Sequence, residues 1–167
     1  MLEIYSECVQ DLMCHPKWRP KGGLKIREEK GWGVYVDQLS AIPVSSYEDI
    51  EDKIKIGNQN WTIGATNMNA TSSWAHTVTQ IRFVQTTYGN DGKPQNSKKS
   101  DINLVDLAGS ERSKSTGASG QRATEGSNIN KSLSFLGRVI SVLAEKAQGK
   151  GKNKQVPYWE SKLTRIL

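Results

Sequence analysis

No stretch of this chain approaches the roughly 20 consecutive apolar residues of a bilayer-crossing helix, so it offers no candidate membrane span. The opening Met1-Leu2-Glu3-Ile4-Tyr5 has neither the basic start nor the apolar stretch of a signal peptide. Cysteine is scarce. Cys8 and Cys14 are the only two, which excludes a disulfide framework or a cysteine metal set and leaves two plain intracellular thiols as the expectation. There is no internal repeat. Acidic residues are outnumbered 17 to 23 by lysine and arginine, a net charge of +6 that calls for an acidic partner. Nucleic acid, an anionic membrane and an acidic protein surface all satisfy that charge. A nucleic-acid binder would show a stacking-aromatic platform or a recognition helix, and neither is visible.

What is present reads as one soluble globular domain. The 167 residues are 24% charged and 35% hydrophobic, enough to bury a modest core. Leu2 to Tyr5 alternates like a strand, and Glu7 to Met13 reads as a short helical turn at best. His15 to Gly23, with two prolines and two glycines, is a loop. Leu24–Arg27 and Val34–Val36 form a hairpin around Gly31-Trp32-Gly33. Ser45 or Ser46 caps a helix with Glu48 and Asp49 in its first turn, and Gly57 is expected to end it near Ile56. Asn58 to Ser73 is too polar for a helix. His76 to Tyr88 is a long strand candidate rich in Thr, Val, Ile and Phe. Gly89 to Ser100 reads as a loop, and Ile102 to Asp106 as a short strand ending in a carboxylate. Gly109 to Gly126 is a Gly/Ser-rich stretch. Beyond it Ile129, Leu133, Leu136, Ile140 and Leu143 step by four, three, four and three, which predicts one buried helical stripe. A lysine-bearing loop, Lys146 to Gln155, leads through Pro157 to a last helix. Helices and strands alternate, so the class is α/β.

The chemistry centres on Asp106-Leu107-Ala108-Gly109. A strand-terminal aspartate followed by a small residue and a glycine can place a carboxylate near Mg²⁺ and free a backbone N–H for a γ-phosphate. Alone it is weak, because many strands end in Asp-x-x-Gly turns. Its context is more specific. Asp106-Leu107-Ala108-Gly109-Ser110-Glu111 followed by Gly126-Ser127-Asn128-Ile129-Asn130-Lys131-Ser132-Leu133 resembles the switch II loop and helix of kinesin motor domains. Asn67-Met68-Asn69-Ala70-Thr71-Ser72-Ser73-Trp74-Ala75-His76 resembles kinesin switch I, where the family shows Asn-x-x-Ser-Ser-Arg-Ser-His. Leu2 to Tyr5 and Val156-Pro157-Tyr158 through Leu167 match further kinesin segments. The resemblance covers residues 1–167 in order as one partial motor domain, and is nearest the kinesin-3 group.

The resemblance implies a P-loop NTPase fold, a central, mostly parallel sheet flanked by helices, with the N-terminal half missing. It implies an ATP-driven, microtubule-stimulated motor activity in the cytoplasm and cytoskeleton, with ATP and Mg²⁺ as cofactors and no membrane or nucleic-acid contact by this segment. Ser73 would coordinate Mg²⁺, and Asp106 would hold the metal's shell through water. Ser72 would help position the attacking water, Asn69 would join the nucleotide contacts, and Gly109 would sense the γ-phosphate. Glu111 would pair with a switch I arginine. Asn130 and Lys131 would face tubulin, and Lys146, Lys150, Lys152, Lys154, Lys162 and Arg165 would meet its acidic surface. Without the flanking motifs, such a lysine run reads as a solvated loop.

Two departures qualify that expectation. These residues contain no Gly-x-x-x-x-Gly-Lys-Ser/Thr loop, and Gly149-Lys150-Gly151-Lys152 has neither its spacing nor its hydroxyl. In kinesins that loop precedes the strand at Leu2 to Tyr5 and grips most of the triphosphate, so little ATP affinity is expected of this chain by itself. Trp61, Trp74 and Trp159 stand where the family usually has arginine, and Ala75 replaces a serine. An indole, with one N–H donor, cannot replace a bidentate guanidinium. The alternatives to a motor segment are a non-catalytic microtubule-binding module and a decayed kinesin copy. The strand ending at Asp106 is expected to form an exposed sheet edge, with marginal stability as the consequence.

Overall fold

A computed structural model describes residues 1–31, 33–67, 75–109 and 121–167. β1 (Leu2–Tyr5) and β2 (Cys8–Asp11) form a hairpin through Ser6 and Glu7, both at positive φ, as a two-residue turn compatible with strand twist demands. Cys8 to Asp11, expected as a helical turn, is therefore a strand: the burial of Val9 and Asp11 alternates with period two. β3 (Ile26–Glu29) and β4 (Gly33–Val36) make a separate two-stranded ribbon, as the sequence indicated.

α1 runs Tyr47–Asn67, ten residues beyond the expected stop at Gly57. A Cβ at Gly57 would collide with the Met1 thioether, so this glycine is a close-approach site inside the helix rather than its end. Among the polar residues that follow, Asn60 is buried and tied by its side chain to Leu12, just past β2.

β5 (His76–Tyr88) has the expected bounds. β6 (Pro94–Asp106) begins eight residues earlier than the predicted strand, because the whole lysine-rich segment pairs with β5 around a turn at 89–93. Arg82 and Asp101, directly opposite across the ribbon, form a 2.7 Å ion pair there. α2 (Gln121–Ala147) carries the lysine loop into a short 3₁₀ turn, Tyr158–Glu160, and α3 (Lys162–Ile166).

The four-stranded sheet has the order β2-β1-β5-β6. The α/β class holds, but the expectation of mostly parallel strands does not hold among these: β1–β2, β1–β5 and β5–β6 are all antiparallel. Tight turns join β1 to β2 and β5 to β6, and only a long crossover would allow parallel neighbours there. β6 forms an edge, as anticipated, and its residues are exposed along their whole length.

Strand alternation assigns the two sheet faces. Leu2, Ile4, Val9 and Val78 share one face, where they form the core with Leu24 and Leu163 and pack against Leu136 and Ile166. α2 and α3 therefore cover that face. Glu3 points the other way, toward Trp61 of α1, and Arg19 lies 3.9 Å from its carboxylate. Arg19 also donates to the Cys14 and Asn60 carbonyls, at 3.0 and 3.1 Å, while Asn60 donates to the Leu12 carbonyl at 2.9 Å. Trp61, one of the tryptophans standing where the family usually has arginine, is half-buried.

The expected stripe on α2 is only partly buried. Ser132 and Val139 are inside, whereas Ile140 is 57% exposed and Leu143 42% exposed. The face of α2 that meets the sheet passes through Ser132, Leu136 and Val139, and it includes a serine because His76 requires one.

Candidate functional site

Asp106 is the last residue of β6, exposed and opposite Thr77, which itself pairs with Glu3. The strand order thus sets the Asp106 carboxylate beside the start of β5, one residue past His76. Gly109 is exposed three residues further on. Ser72, Ser73, Asn69, Glu111 and Trp74 lie outside the described residues, so the constellation inferred around Asp106 is represented by Asp106 and Gly109.

Behind this loop lies a buried bridge that motif reading did not single out. His76 is 2% exposed. Its Nδ1 accepts a 2.9 Å hydrogen bond from the Ala108 N–H, and its Nε2 lies 2.8 Å from Ser132 Oγ on α2. A backbone N–H can only donate, so Nδ1 carries the lone pair. Nε2 then carries the proton of a neutral imidazole, and Ser132 Oγ accepts it. One ring therefore joins the start of β5, the loop after Asp106 and α2. Ser132 lies outside the apolar positions 129, 133, 136, 140 and 143, so the sequence periodicity gave no signal of it.

Burial pushes the His76 imidazole below its ordinary value of 6.5. The folded chain thus binds this proton less readily than the unfolded chain. The resulting stability is fully present above pH 6.5 and is lost as pH falls through the depressed folded value. Glu3, which burial holds above the usual carboxylate range, acts in the opposite sense, gaining stability for the fold as pH falls. The expected result is a urea midpoint that declines between about pH 7 and pH 5.5 more steeply in the native chain than in His76→Asn. Equal slopes would remove His76 as the group responsible.

The basic residues divide by position. Lys131 is exposed on α2 and Asn130 is half-buried, its carbonyl accepting from Ser134 Oγ at 2.7 Å. Lys146 is half-buried in the last turn of α2, where a cation suits the helix dipole. The loop after α2 is anchored at both ends. Lys154 Nζ meets Glu145 at 2.6 Å, and Arg138 Nη1 reaches both Glu160 oxygens at 2.7 and 2.9 Å. Lys150 and Lys152 stay exposed between these anchors. Lys162 and Arg165 are half-buried on α3, whose first N–H, that of Lys162, donates to Glu7 at 2.9 Å. Trp159 is 56% exposed beside this surface.

As a metal site, the described residues offer little on their own: no group of three or more His, Cys, Asp or Glu side chains gathers among them. One exposed carboxylate at a strand end nevertheless fits Mg²⁺, which keeps most of its waters and takes one or two carboxylates together with substrate phosphates. No described helix is long and apolar enough to cross a membrane.

A sheet flanked by helices, with Asp-Leu-Ala-Gly leaving the end of β6, places the chain in the α/β class. The chain belongs to the kinesin motor domain family, whose family model matches residues 1–167. It is 53% identical over 169 residues to the kinesin-like protein KIF13A of Mus musculus, covering 99% of this chain and 9% of that protein. It is 49% identical over 172 residues to the kinesin-like protein KIF1A of Rattus norvegicus, covering 99% of this chain and 10% of that protein. Both are kinesin-3 members, in keeping with the resemblance noted in the sequence. Among solved structures, a fast kinesin matches with a TM-score of 0.80 at 42% identity, covering 99% of this chain and 43% of that one. KIF14 with ADP in complex with a microtubule matches with a TM-score of 0.84 at 44% identity, covering 99% and 46%. The chain thus spans about a tenth of the curated relatives' length and under half of the solved motor chains.

Proposed function

We propose that this chain is the switch and microtubule-contacting segment of a kinesin motor, a family activity of ATP-driven movement along microtubules. The observation that carries the reading is the match of 99% of the chain to a kinesin held on a microtubule, at a TM-score of 0.84. The exposed Lys131, Lys150 and Lys152 on α2 and its following loop supply the charge that acidic tubulin would meet. Lys146, Lys154, Lys162, Arg165 and Asn130 complete that surface, with Lys154 partly neutralised by Glu145.

For the nucleotide, Asp106 is proposed to orient water in a magnesium shell and Gly109 to donate its N–H to the γ-phosphate. Ser73 would ligate the metal, Ser72 would hold the attacking water and Asn69 would join the nucleotide contacts. ATP with magnesium, when bound, supplies a transferable phosphoryl group whose charge the metal neutralises. Glu111, lacking an arginine at position 74, would leave the switch contact unclosed, because tryptophan offers no bidentate partner.

A second reading, a nucleotide-independent microtubule-binding module, is favoured by one feature: Lys131, Lys150 and Lys152 present their charge at the surface of α2 and its following loop without any nucleotide. Co-sedimentation with microtubules decides both. Binding should be clear near 50 mM salt and several-fold weaker near 200 mM, as screening shortens the reach of exposed charges to about 8–10 Å and below. Affinity that changes between ADP and a non-hydrolysable ATP analogue supports nucleotide contacts within this chain. Affinity indifferent to nucleotide supports the module. No pelleting at low salt would sink the microtubule reading in both forms.

A further inference from the structure

We infer that His76 is a positioning residue that couples the loop after Asp106 to α2, by holding the Ala108 N–H and the Ser132 hydroxyl on opposite nitrogens of one buried neutral ring. The functional consequence rests on the reading above, in which that loop senses phosphate and α2 faces the microtubule. The geometry itself does not depend on that reading.

Three features support a coupling role over simple core filling. The ring sits at the junction of three elements: β5, in register with Ile4; the exit of β6; and α2, 56 residues away from His76 in sequence. Both of its polar atoms are committed, at 2.9 and 2.8 Å, so neither bond can shorten or swing without disturbing the other. The partner in the loop is a backbone amide one residue before Gly109, so the bond reports main-chain position rather than a side-chain rotamer. A shift of the Ala108–Gly109 backbone pulls on Nδ1, rotates the ring and displaces the hydrogen on Nε2 from Ser132. An apolar side chain of similar volume would fill the space without transmitting that displacement. Two discrete arrangements, bond kept or bond broken, are what a switch linkage requires.

The test is amide hydrogen exchange on the full chain, read at Ala108, with nitrogen NMR of the His76 ring. The ring should show the proton on Nε2 and a bare, hydrogen-bonded Nδ1. Ser132→Ala, which removes only the hydroxyl on α2, should speed Ala108 exchange about tenfold, within the usual range of site-to-site coupling. Ser141→Ala, a hydroxyl elsewhere on the same helix that bonds the Gly137 carbonyl, should leave it unchanged. His76→Asn places an acceptor where Nδ1 stands but cannot reach Ser132, and His76→Gln places a donor where Nε2 stands but offers Ala108 nothing. His76→Asn should therefore retain part of the Ala108 protection and make it insensitive to Ser132→Ala. His76→Gln should lose it.

Unchanged Ala108 exchange in Ser132→Ala, or a proton found on Nδ1, would overturn the inference. A second arm adds microtubules, which should slow Ala108 exchange in the native chain and fail to do so in Ser132→Ala when that variant is bound. Equal slowing in both would show that the signal travels by another route. If the native chain does not pellet with microtubules, the functional reading falls, while the exchange cycle in the free chain still decides the role of His76.

Discussion

Leu163→Ala is expected to lower the free energy of unfolding by about 2–5 kcal/mol, the usual cost of deleting a fully buried leucine from a packed core. Leu163 is 0% exposed and sits in α3, a helix of only five residues. So short a helix has no stability of its own. Its capping box at Ser161 and Thr164 and the Glu7 carboxylate on the Lys162 N–H orient it, and Leu163 secures it to Leu2, Ile4 and Val9. The chain's last helix and its first hairpin thus share one core. Truncating this side chain should loosen both together. A urea titration at fixed pH measures the change as a shift in midpoint. A loss below about 1 kcal/mol would mean that α3 contributes little to the core.

The second large effect concerns binding. Reversing Lys150 and Lys152 together, Lys150→Glu with Lys152→Glu, is expected to weaken microtubule affinity by about 2 kcal/mol, or roughly thirtyfold. Each exposed charge contact is worth about 0.2–1 kcal/mol, and reversal both removes attraction and adds repulsion. Both lysines lie in the exposed middle of a loop held at its base by Lys154–Glu145 and Arg138–Glu160. The fold should therefore survive the change, and circular dichroism can verify that it does. The loss should shrink as salt rises, since the contact is at the surface. Lys154→Ala should do less, because its charge is already engaged by Glu145 at 2.6 Å. An affinity unaffected by the double reversal would move the contact surface away from this loop.

The local errors of sequence reading share a cause. Gly57 resembled a helix stop because glycine is conformationally permissive, but there it is small so that Met1 can lie against the helix. Glu7 to Met13 read as a short helical turn, yet Cys8 to Asp11 is a strand whose Asp11 is 4% exposed, its carboxylate accepting from the Met13 and Ser40 N–H groups at 2.8 and 2.9 Å. Pro94 to Ser100 read as a loop on composition, and cross-strand pairing to β5 overrode it. Trp61, standing where the family usually has arginine, is half-buried on the side of the sheet that Glu3 faces. In each case the deciding partner is far away in the chain. Local propensity carries no information about it.

The sequence by itself determined the family, the α/β class and β5 to the residue. Those are properties of motif spacing and residue type, which survive without knowledge of contacts. Only the tertiary structure decided that the described strands run antiparallel, that α2 buries Ser132 while exposing Ile140, that Lys154 is engaged while Lys150 and Lys152 are not, and that His76 joins Ala108 to Ser132. The physical reason is that hydrogen bonds and ion pairs between distant segments depend on distance and direction, and the folded backbone alone sets both.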